Sequence, residues 1–296
     1  MSSERVVDDA RLPRVSVELG PVQETLLIPL YGRAMETRRK NGLLCDEKAK
    51  EIQESLNYDF GKWRKTGSPL GACLRTVMFD EYVRAFLNEH PLGTVVEVGC
   101  GLNTRFERID NGRATWFELD LPDSMALRRQ FFDDEPRRTM IDANVLETDW
   151  MARVAATGGP WCFVSEAVLI YLDAHDVETV LRNLATRFSG SWLVMDTASQ
   201  RMRDTQATHD VMKTMPKASW FRWACDDPDA LDRWGARLVT SRSFLNASAP
   251  LKRRLPLTLR LAVTFFPFLM RRKMMGYKLN RFALETPGID ARVGPA

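Results

Sequence analysis

The 296-residue sequence is poor in the residue types that build metal sites and disulfide frameworks. It contains five cysteines and three histidines, and no two cysteines form a CxxC pair. Zinc sites need closely spaced Cys and His ligands, and disulfide scaffolds need a dense, even set of cysteines. No metal site is therefore predicted. The odd number of scattered thiols favours a reduced, cytoplasmic protein.

An excess of charge of one sign is also lacking. The 42 Lys and Arg residues nearly balance the 39 Asp and Glu residues, which leaves a net charge of +3. A protein that binds nucleic acid usually presents a strong basic field, so no nucleic-acid partner is expected.

Long apolar runs are missing as well. The N-terminus has no apolar stretch of the signal-peptide kind, and the most apolar segment, residues 255–270, is interrupted by two prolines. That segment is shorter than the roughly 20 residues of a membrane span, so no transmembrane segment is predicted. We interpret it as a lid or packed helix, with a dimer face or a membrane-surface element as alternatives.

The residues that are present show an alternating pattern. Short β-branched runs predict strands at 94–98, 114–119, 138–141, 161–166 and 191–196, with helices at 124–132, 151–156 and 177–188 between them. This order predicts an α/β fold with a parallel, doubly wound sheet. Helical periodicity precedes it at 25–65 and 72–89, around a Gly/Pro break at 67–71, and further strands are predicted at 237–240 and 279–284.

These patterns divide the chain into five segments. They are a flexible tail (1–15), an N-terminal helical lid and substrate region (16–90), an α/β cofactor-binding core (91–200), a substrate-binding insertion or lid (201–270), and the final strand or strands of the sheet with a tail (271–296).

The strongest local signal is the turn that follows the first core strand. Gly99 and Gly101 flank one residue, which lets the backbone turn sharply and lets a ligand approach closely. Thr104 stands where pyrophosphate-binding loops carry a third glycine, so a ligand without phosphate is favoured. Glu97, on the strand before the turn, suits the ammonium group of an amino acid.

Further polar residues follow the next two strands. Asp120, with Leu121 beside it, ends the second strand and can accept hydrogen bonds from ribose hydroxyls. After the third strand, either Asp142 or Asn144, beside Val145, could accept a hydrogen bond from an adenine amino group. A turn-forming role is the alternative there.

Several separated motifs, in this order, resemble the leucine carboxyl methyltransferase family. The resemblance is closest to its bacterial branch of tetracenomycin-type O-methyltransferases from polyketide pathways, and it covers about residues 20–285. The motifs that carry it are Thr25 to Ala34, Arg75-Thr76, Phe79-Asp80, Glu97 to Arg105, Asp120-Leu121-Pro122, Glu166 to Leu172, and Leu279 to Phe282.

This resemblance implies a class I fold with S-adenosyl-L-methionine as cofactor and S-adenosyl-L-homocysteine as product. It implies that Arg75 binds the methionine carboxylate, to which a planar guanidinium can donate two parallel hydrogen bonds. Gly99 would lie against the cofactor, Asp120 would hold the ribose, and Glu166 and the next residue would lie at the methionine end. The family usually has Asp at Asn144 and commonly has Gly at Ala167, so this chain departs from the pattern at both positions.

The acceptor site is less clearly marked. We expect it between the N-terminal helices, with Tyr31 and Arg33, and the region after the fifth strand, with Arg201 and Arg203. Tyr171 is a further candidate to face the substrate. No catalytic base is assigned, and the candidates are Tyr31, Tyr171 and His209. Core packing for the tyrosines, and a solvated surface for the other side chains, are the alternatives.

The sequence therefore predicts an O-methyltransferase that acts on a small molecule. A carboxylate acceptor is ionised at neutral pH, whereas a phenol needs a base, so the lack of an obvious base favours a carboxylate. Methylation of a peptide or protein C-terminus is one alternative, and a non-catalytic scaffold of the same fold is another. We expect a monomer or a homodimer.

Overall fold

The computed structural model describes residues 14–265 and 275–287. A sheet of seven strands runs through its centre in the order β5-β4-β3-β6-β7-β9-β8. Its strands are β3 (Thr94–Val98), β4 (Thr115–Asp120), β5 (Arg138–Asp142), β6 (Trp161–Ser165), β7 (Trp192–Ala198), β8 (Ala236–Arg242) and β9 (Tyr277–Leu284). Two residues of β1 (Val15–Ser16) pair with two of β2 (Leu56–Asn57) in a separate small ladder.

Strands β3 to β7 are parallel, and β9 is antiparallel to both of its neighbours. The predicted parallel, doubly wound sheet is thus confirmed. Strand β3 is mostly apolar because both faces of the sheet are covered. Its consecutive residues Val95 and Val96 point to opposite faces, and both are fully buried. A sheet covered by helices on both faces requires such continuous apolar strands.

Helices flank this sheet, and the N-terminal helices precede its first strand in the chain. They are α1 (Leu27–Thr37), α2 (Glu47–Ser55), α3 (Ser68–Glu89), α4 (Arg105–Ile109), α5 (Pro122–Arg128), α6 (Asp149–Ala155), α7 (Ala174–Arg187), α8 (Gln200–Asp204), α9 (Ala249–Arg254) and α10 (Leu257–Phe265). Short 3-10 turns connect several of them.

One expectation about an element boundary was wrong. The predicted break at 67–71 lies inside α3, which begins at Ser68, because Pro69 occupies the first turn, where a missing N–H group is tolerated. The strand predicted at 237–240 is confirmed by β8, which lies within 201–270 and pairs with β9 at the edge of the central sheet.

The apolar segment 255–270 is only partly described. Helix α10 covers its residues 257–265, and residues 266–270 lie outside the described residues. Within the described ranges, no helix has the length and apolar character to cross a membrane.

Candidate active site

A cavity lies at the carboxyl ends of the parallel strands. Its volume is about 340 Å³, and segments after β3, β4, β5 and β6 contribute to its wall. The chain builds the sheet outward from β3 through β4 to β5, and then returns to the other side of β3 with β6. Open α/β sheets bind ligands at such a switch point, because the loops diverge there and leave a crevice.

The glycine turn after β3 forms one wall of the cavity. Gly99 has φ of +69° and Gly101 has φ of +47°, a conformation that other residues rarely adopt. A Cβ atom on Gly99 would lie 2.3 Å from Cγ2 of Val168, so the turn also packs against the segment after β6. Both glycines line the cavity, as the predicted cofactor role requires.

Asp120 sits beside this turn at the end of β4. Its carboxylate accepts hydrogen bonds from the backbone N–H groups of Gly101 at 2.6 Å and Leu121 at 2.7 Å. Burial raises the pKa of Asp120, although these two hydrogen bonds oppose the shift. Each carboxylate oxygen keeps lone pairs for a ligand in the cavity, which Asp120 and Leu121 both line.

The segment after β5 distinguishes the two adenine-site candidates. Asn144 and Val145 line the cavity, whereas Asp142 does not and instead pairs with Arg129 at 2.5 Å on the exposed surface. The Asn144 side-chain oxygen accepts a hydrogen bond from the N–H of Leu146, which shapes the turn. Of the two candidates, Asn144 is therefore the one that lines this cavity.

Arg75 reaches the opposite end of the cavity from helix α3. Its Nε donates to Glu166 at 2.9 Å and its Nη1 donates to the Tyr277 hydroxyl at 3.2 Å. Glu166 also accepts a hydrogen bond from Thr76. Burial alone would raise the pKa of Glu166, but Arg75 and Arg105 lower it to about 2, so it stays ionised.

Arg105, for which the sequence suggested no role, is the centre of a buried ion-pair network behind this wall. The fully buried guanidinium donates to Asp80 at 2.8 Å, Glu97 at 2.6 Å and Glu166 at 2.6 Å. Through shared carboxylates the network joins four arginines (Arg33, Arg75, Arg105 and Arg108) to five acids (Asp46, Asp80, Glu97, Glu166 and Asp196).

This network corrects the role expected for Glu97. Both of its oxygens accept hydrogen bonds from Nη1 of Arg105, and the residue is buried behind the cavity wall rather than in it. Glu97 therefore positions Arg105 and does not face a ligand's ammonium group.

The two N-terminal candidates for the acceptor site, Tyr31 and Arg33, differ in whether they line the cavity. Tyr31 is buried against Phe60, with ring centroids 5.5 Å apart, and lies outside the cavity wall. Arg33 lines the cavity, but its guanidinium is bonded to Asp46 at 2.9 Å and to the carbonyl of Leu102 at 2.7 Å. Tyr31 is thus a core residue here, and Arg33 contributes mainly to the wall.

The chain after β7 covers the far end of the cavity. Met202, His209, Val211, Met212 and Phe221 line it, and Phe221 meets Tyr171 edge to face at 5.5 Å. Arg201 and Arg203 do not line the cavity, and Arg203 pairs with Asp204 on the surface. We refer to residues 200–221 as the cover segment.

Asp210 attaches the cover segment to helix α3. Its carboxylate accepts hydrogen bonds from the N–H groups of Gly67 and Ser68 and from the Ser68 hydroxyl. Because these groups begin α3, Asp210 satisfies orphan donors of a helix in which no other side-chain cap occurs.

We expect Asp210→Ala to lower the free energy of unfolding by about 1 kcal/mol, as for loss of a helix cap. It should also raise KM for the acceptor, because the cover segment loses its attachment. Urea denaturation and steady-state kinetics measure the two effects. The control Asp204→Ala removes a solvated carboxylate of the same segment and should change neither quantity; an equal response in both variants would contradict this attachment.

Comparison with known proteins agrees with this geometry. A model of the leucine carboxyl methyltransferase family matches residues 27–185, more than half of the chain. The chain is 28% identical over 229 residues to the tetracenomycin polyketide synthesis O-methyltransferase of Streptomyces glaucescens, covering 73% of this chain and 80% of that protein. It is 26% identical over 197 residues to an S-adenosyl-L-methionine-dependent methyltransferase of Gibberella zeae, covering 61% and 66%.

A solved structure shares the architecture at lower identity. A DUF574-family protein from Streptomyces avermitilis superposes with a TM-score of 0.56 at 13% identity, over 90% of this chain and 100% of that chain. This likeness concerns the fold, and the class I fold predicted from the sequence is confirmed. With its family match and its strand order, the chain belongs to the leucine carboxyl methyltransferase family of S-adenosyl-L-methionine-dependent methyltransferases.

Proposed function

We propose that this S-adenosyl-L-methionine-dependent methyltransferase methylates an oxygen, a carboxylate or a phenolic hydroxyl, of a small-molecule acceptor. The observation that carries the proposal is the covered end of the cavity, where apolar and aromatic side chains surround the Arg75 guanidinium and the Tyr277 hydroxyl. An apolar pocket with a few placed polar groups suits a small, mostly apolar ligand.

The residues around the cavity fit the cofactor. Asp120 would accept from the ribose hydroxyls, Asn144 and Val145 would border the adenine, and Arg75 would pair with the methionine carboxylate. The network behind the wall has five carboxylates against four arginines, an excess of one negative charge. This excess favours a ligand with one net positive charge. When bound, the cofactor supplies a methyl group on a positively charged sulfur that leaves as a neutral thioether.

The chain's own contribution is then to align the acceptor oxygen and to exclude water. Holding reactants in line accounts for much of the rate of such displacements. Phe221, Phe244 and Tyr171 line the end of the cavity near Arg75, where they can orient a flat acceptor. The similarity to a polyketide O-methyltransferase supports oxygen as the acceptor atom.

Methylation of a peptide or protein C-terminus is the alternative enzyme function. A long polypeptide acceptor needs an open groove, whereas residues of the cover segment line this cavity and the segment is attached to α3 through Asp210. A wall held in this way favours a small molecule. A non-catalytic scaffold is disfavoured because Arg75, Gly99 and Asp120 all line the cavity.

The test uses a probe that offers both kinds of oxygen, 6-hydroxy-2-naphthoic acid, with methyl-deuterated S-adenosyl-L-methionine. Mass spectrometry with fragmentation distinguishes the methyl ester from the methyl ether. We expect transfer to oxygen and none to the matched nitrogen probe, 6-amino-2-naphthamide. Transfer to the amine alone would overturn the assignment of oxygen as the acceptor.

A further inference from the structure

A second polar pair lies at the same end of the cavity, and no role in proton transfer has been given to it so far. Asp196, near the end of β7, is 1% exposed, and its Oδ2 accepts a hydrogen bond from the Tyr277 hydroxyl at 2.5 Å. Tyr277 is the first residue of β9 and lines the cavity. The pair thus connects the cavity to a carboxylate buried behind it.

The Tyr277 hydroxyl is held in place from several sides. Its ring stacks on Phe244 at 5.9 Å with an interplanar angle of 5°, and its oxygen accepts a hydrogen bond from Arg75 at 3.2 Å. A phenolic oxygen has two lone pairs. Among the described residues only Arg75 donates to it, so one lone pair remains for a donor in the cavity.

The backbone that holds Asp196 is strained. Ala167 donates its N–H to both Asp196 oxygens, at 2.9 and 3.1 Å. To do so it adopts φ of +56°, and it is the one non-glycine residue with positive φ in the described parts of the chain. Such a conformation is strained for a residue with a Cβ atom and tends to persist where a functional geometry depends on it.

We propose that Asp196 and Tyr277 form a proton relay for a hydroxyl acceptor, which rests on the oxygen methylation proposed above. The acceptor oxygen forms its bond to the methyl carbon as the carbon–sulfur bond breaks. Its proton passes to the Tyr277 oxygen, and the Tyr277 proton passes to Asp196. The cationic sulfur, the neutral hydroxyl and the ionised Asp196 thereby become a thioether, a methyl ether and a protonated carboxyl group, so charge is conserved.

The protonation behaviour of both groups suits this step. Burial raises the pKa of Asp196 to about 6, against the lowering effects of Arg75 and Tyr277, so it is ionised at pH 7 yet more basic than a free carboxylate. Burial and the neighbouring Asp196 raise the pKa of Tyr277. Tyr277 therefore stays neutral, so it gives a proton to Asp196 only as it receives one from the acceptor. The other ionisable groups coupled to Asp196 are Glu166 and Tyr171.

Other groups near the cavity suit the role less well. The two oxygens of Glu166 are engaged by Arg75, Thr76 and Arg105, and its pKa of about 2 makes it a weak base. His209 lies in the cover segment, and its Nδ1 accepts a hydrogen bond from the N–H of Met212. The relay therefore supplies the base for which the sequence offered no clear candidate.

The test compares Tyr277→Phe and Asp196→Asn with wild type on 6-hydroxy-2-naphthoic acid. Loss of a general base slows transfer by about 10²- to 10⁴-fold, so both variants should lose methyl ether formation to that extent. Methyl ester formation at the carboxylate of the same probe needs no proton removal and should persist. Tyr82→Phe is the matched control, because the Tyr82 hydroxyl bonds to the carbonyl of Leu279 away from the cavity.

Two pH profiles separate a relay from a structural role. Wild-type ether formation should fall as the pH drops through about 6, where Asp196 becomes protonated. With Tyr277→Phe the residual rate should instead rise up to the pKa of the acceptor phenol, near 10, since only the ionised phenol then reacts.

Stability gives a readout independent of activity. Folding raises the pKa of Asp196 from 3.8 to about 6. The protonated side chain therefore adds to the free energy of unfolding, and this contribution is fully present below pH 3.8 and is lost as the pH rises through 6. Asp196→Asn should abolish this part of the pH dependence of unfolding. S-Adenosyl-L-homocysteine affinity of Tyr277→Phe should stay within about fivefold of wild type, the value of one neutral hydrogen bond.

Ether formation at wild-type rate and pH dependence in both variants would overturn the relay while leaving oxygen methylation intact. Formation of the methyl ester alone by wild type would also overturn it, because a carboxylate has no proton to give. Transfer to neither oxygen of the probe would overturn the relay and the oxygen assignment together.

Discussion

Replacing Arg105 with methionine is expected to lower the free energy of unfolding by about 3–5 kcal/mol, the usual effect of removing one partner of a buried ion pair. Arg105 is 1% exposed and pairs with three carboxylates, from Asp80, Glu97 and Glu166. Methionine fills much of the same space, so the loss comes mainly from Glu97, which is left buried without a cation, while Asp80 keeps Arg108 and Glu166 keeps Arg75. Urea denaturation at pH 7.5 measures the change.

A matched surface pair separates burial from pairing as the cause. Arg222 bonds to Asp173 at 2.7 Å, a distance like those around Arg105, but both side chains are more than half exposed. Arg222→Met should change the free energy of unfolding by at most about 1 kcal/mol, as exposed pairs do. Equal losses in the two variants would show that the network around Arg105 is not the source of stability argued here.

The second large effect concerns cofactor affinity. Asp120→Ala should weaken S-adenosyl-L-homocysteine binding by about 100-fold or more, because two charge-assisted hydrogen bonds to ribose would be lost. The variant would also leave the N–H groups of Gly101 and Leu121 without their acceptor, so the glycine turn would lose its support. Isothermal titration calorimetry measures the dissociation constant directly.

Asp123→Ala is the control for this measurement. Asp123 lies three residues away on α5 and accepts a hydrogen bond from the N–H of Gly20 at 3.2 Å, but it does not line the cavity. The Asp123→Ala variant should bind S-adenosyl-L-homocysteine with the same affinity as the wild type. If Asp120→Ala bound as tightly as Asp123→Ala in a folded sample, the ribose site would have to lie elsewhere.

The features that the sequence predicted depend on local chemistry. The turn at Gly99 and Gly101 and the acid at the end of the next strand were predicted because each signal spans a few residues. The structure indeed brings Gly99, Gly101 and Asp120 to one cavity wall. Strand positions followed from β-branched runs in the same way.

The errors concern side-chain direction and long-range contact. Glu97 lies on a strand with both faces covered, so alternation of apolar residues could not show which way its carboxylate points. Asp196 meets Tyr277 across 81 positions, and Arg75 meets Tyr277 across 202. No local pattern marks such partners, and the relay pair therefore could not be inferred from the sequence.

The departure at Ala167 has a geometric explanation. The residue adopts φ of +56° to direct its N–H toward Asp196, a conformation that glycine adopts without strain. The resemblance drawn from the sequence implies glycine at this position, and this conformation gives a physical reason for it. Alanine, with the smallest side chain after glycine, is compatible with the same turn.

The ion-pair network also bears on how the protein can be divided. Asp80 and Arg75 come from α3, Glu97 from β3 and Glu166 from the end of β6, yet all four depend on one another for neutralisation. A fragment that begins after α3 would lose Asp80 as a partner of Arg105 and Arg75 as a partner of Glu166. The N-terminal helices and the sheet are therefore expected to unfold as one cooperative unit, while the cover segment, with fewer such ties, can open on its own.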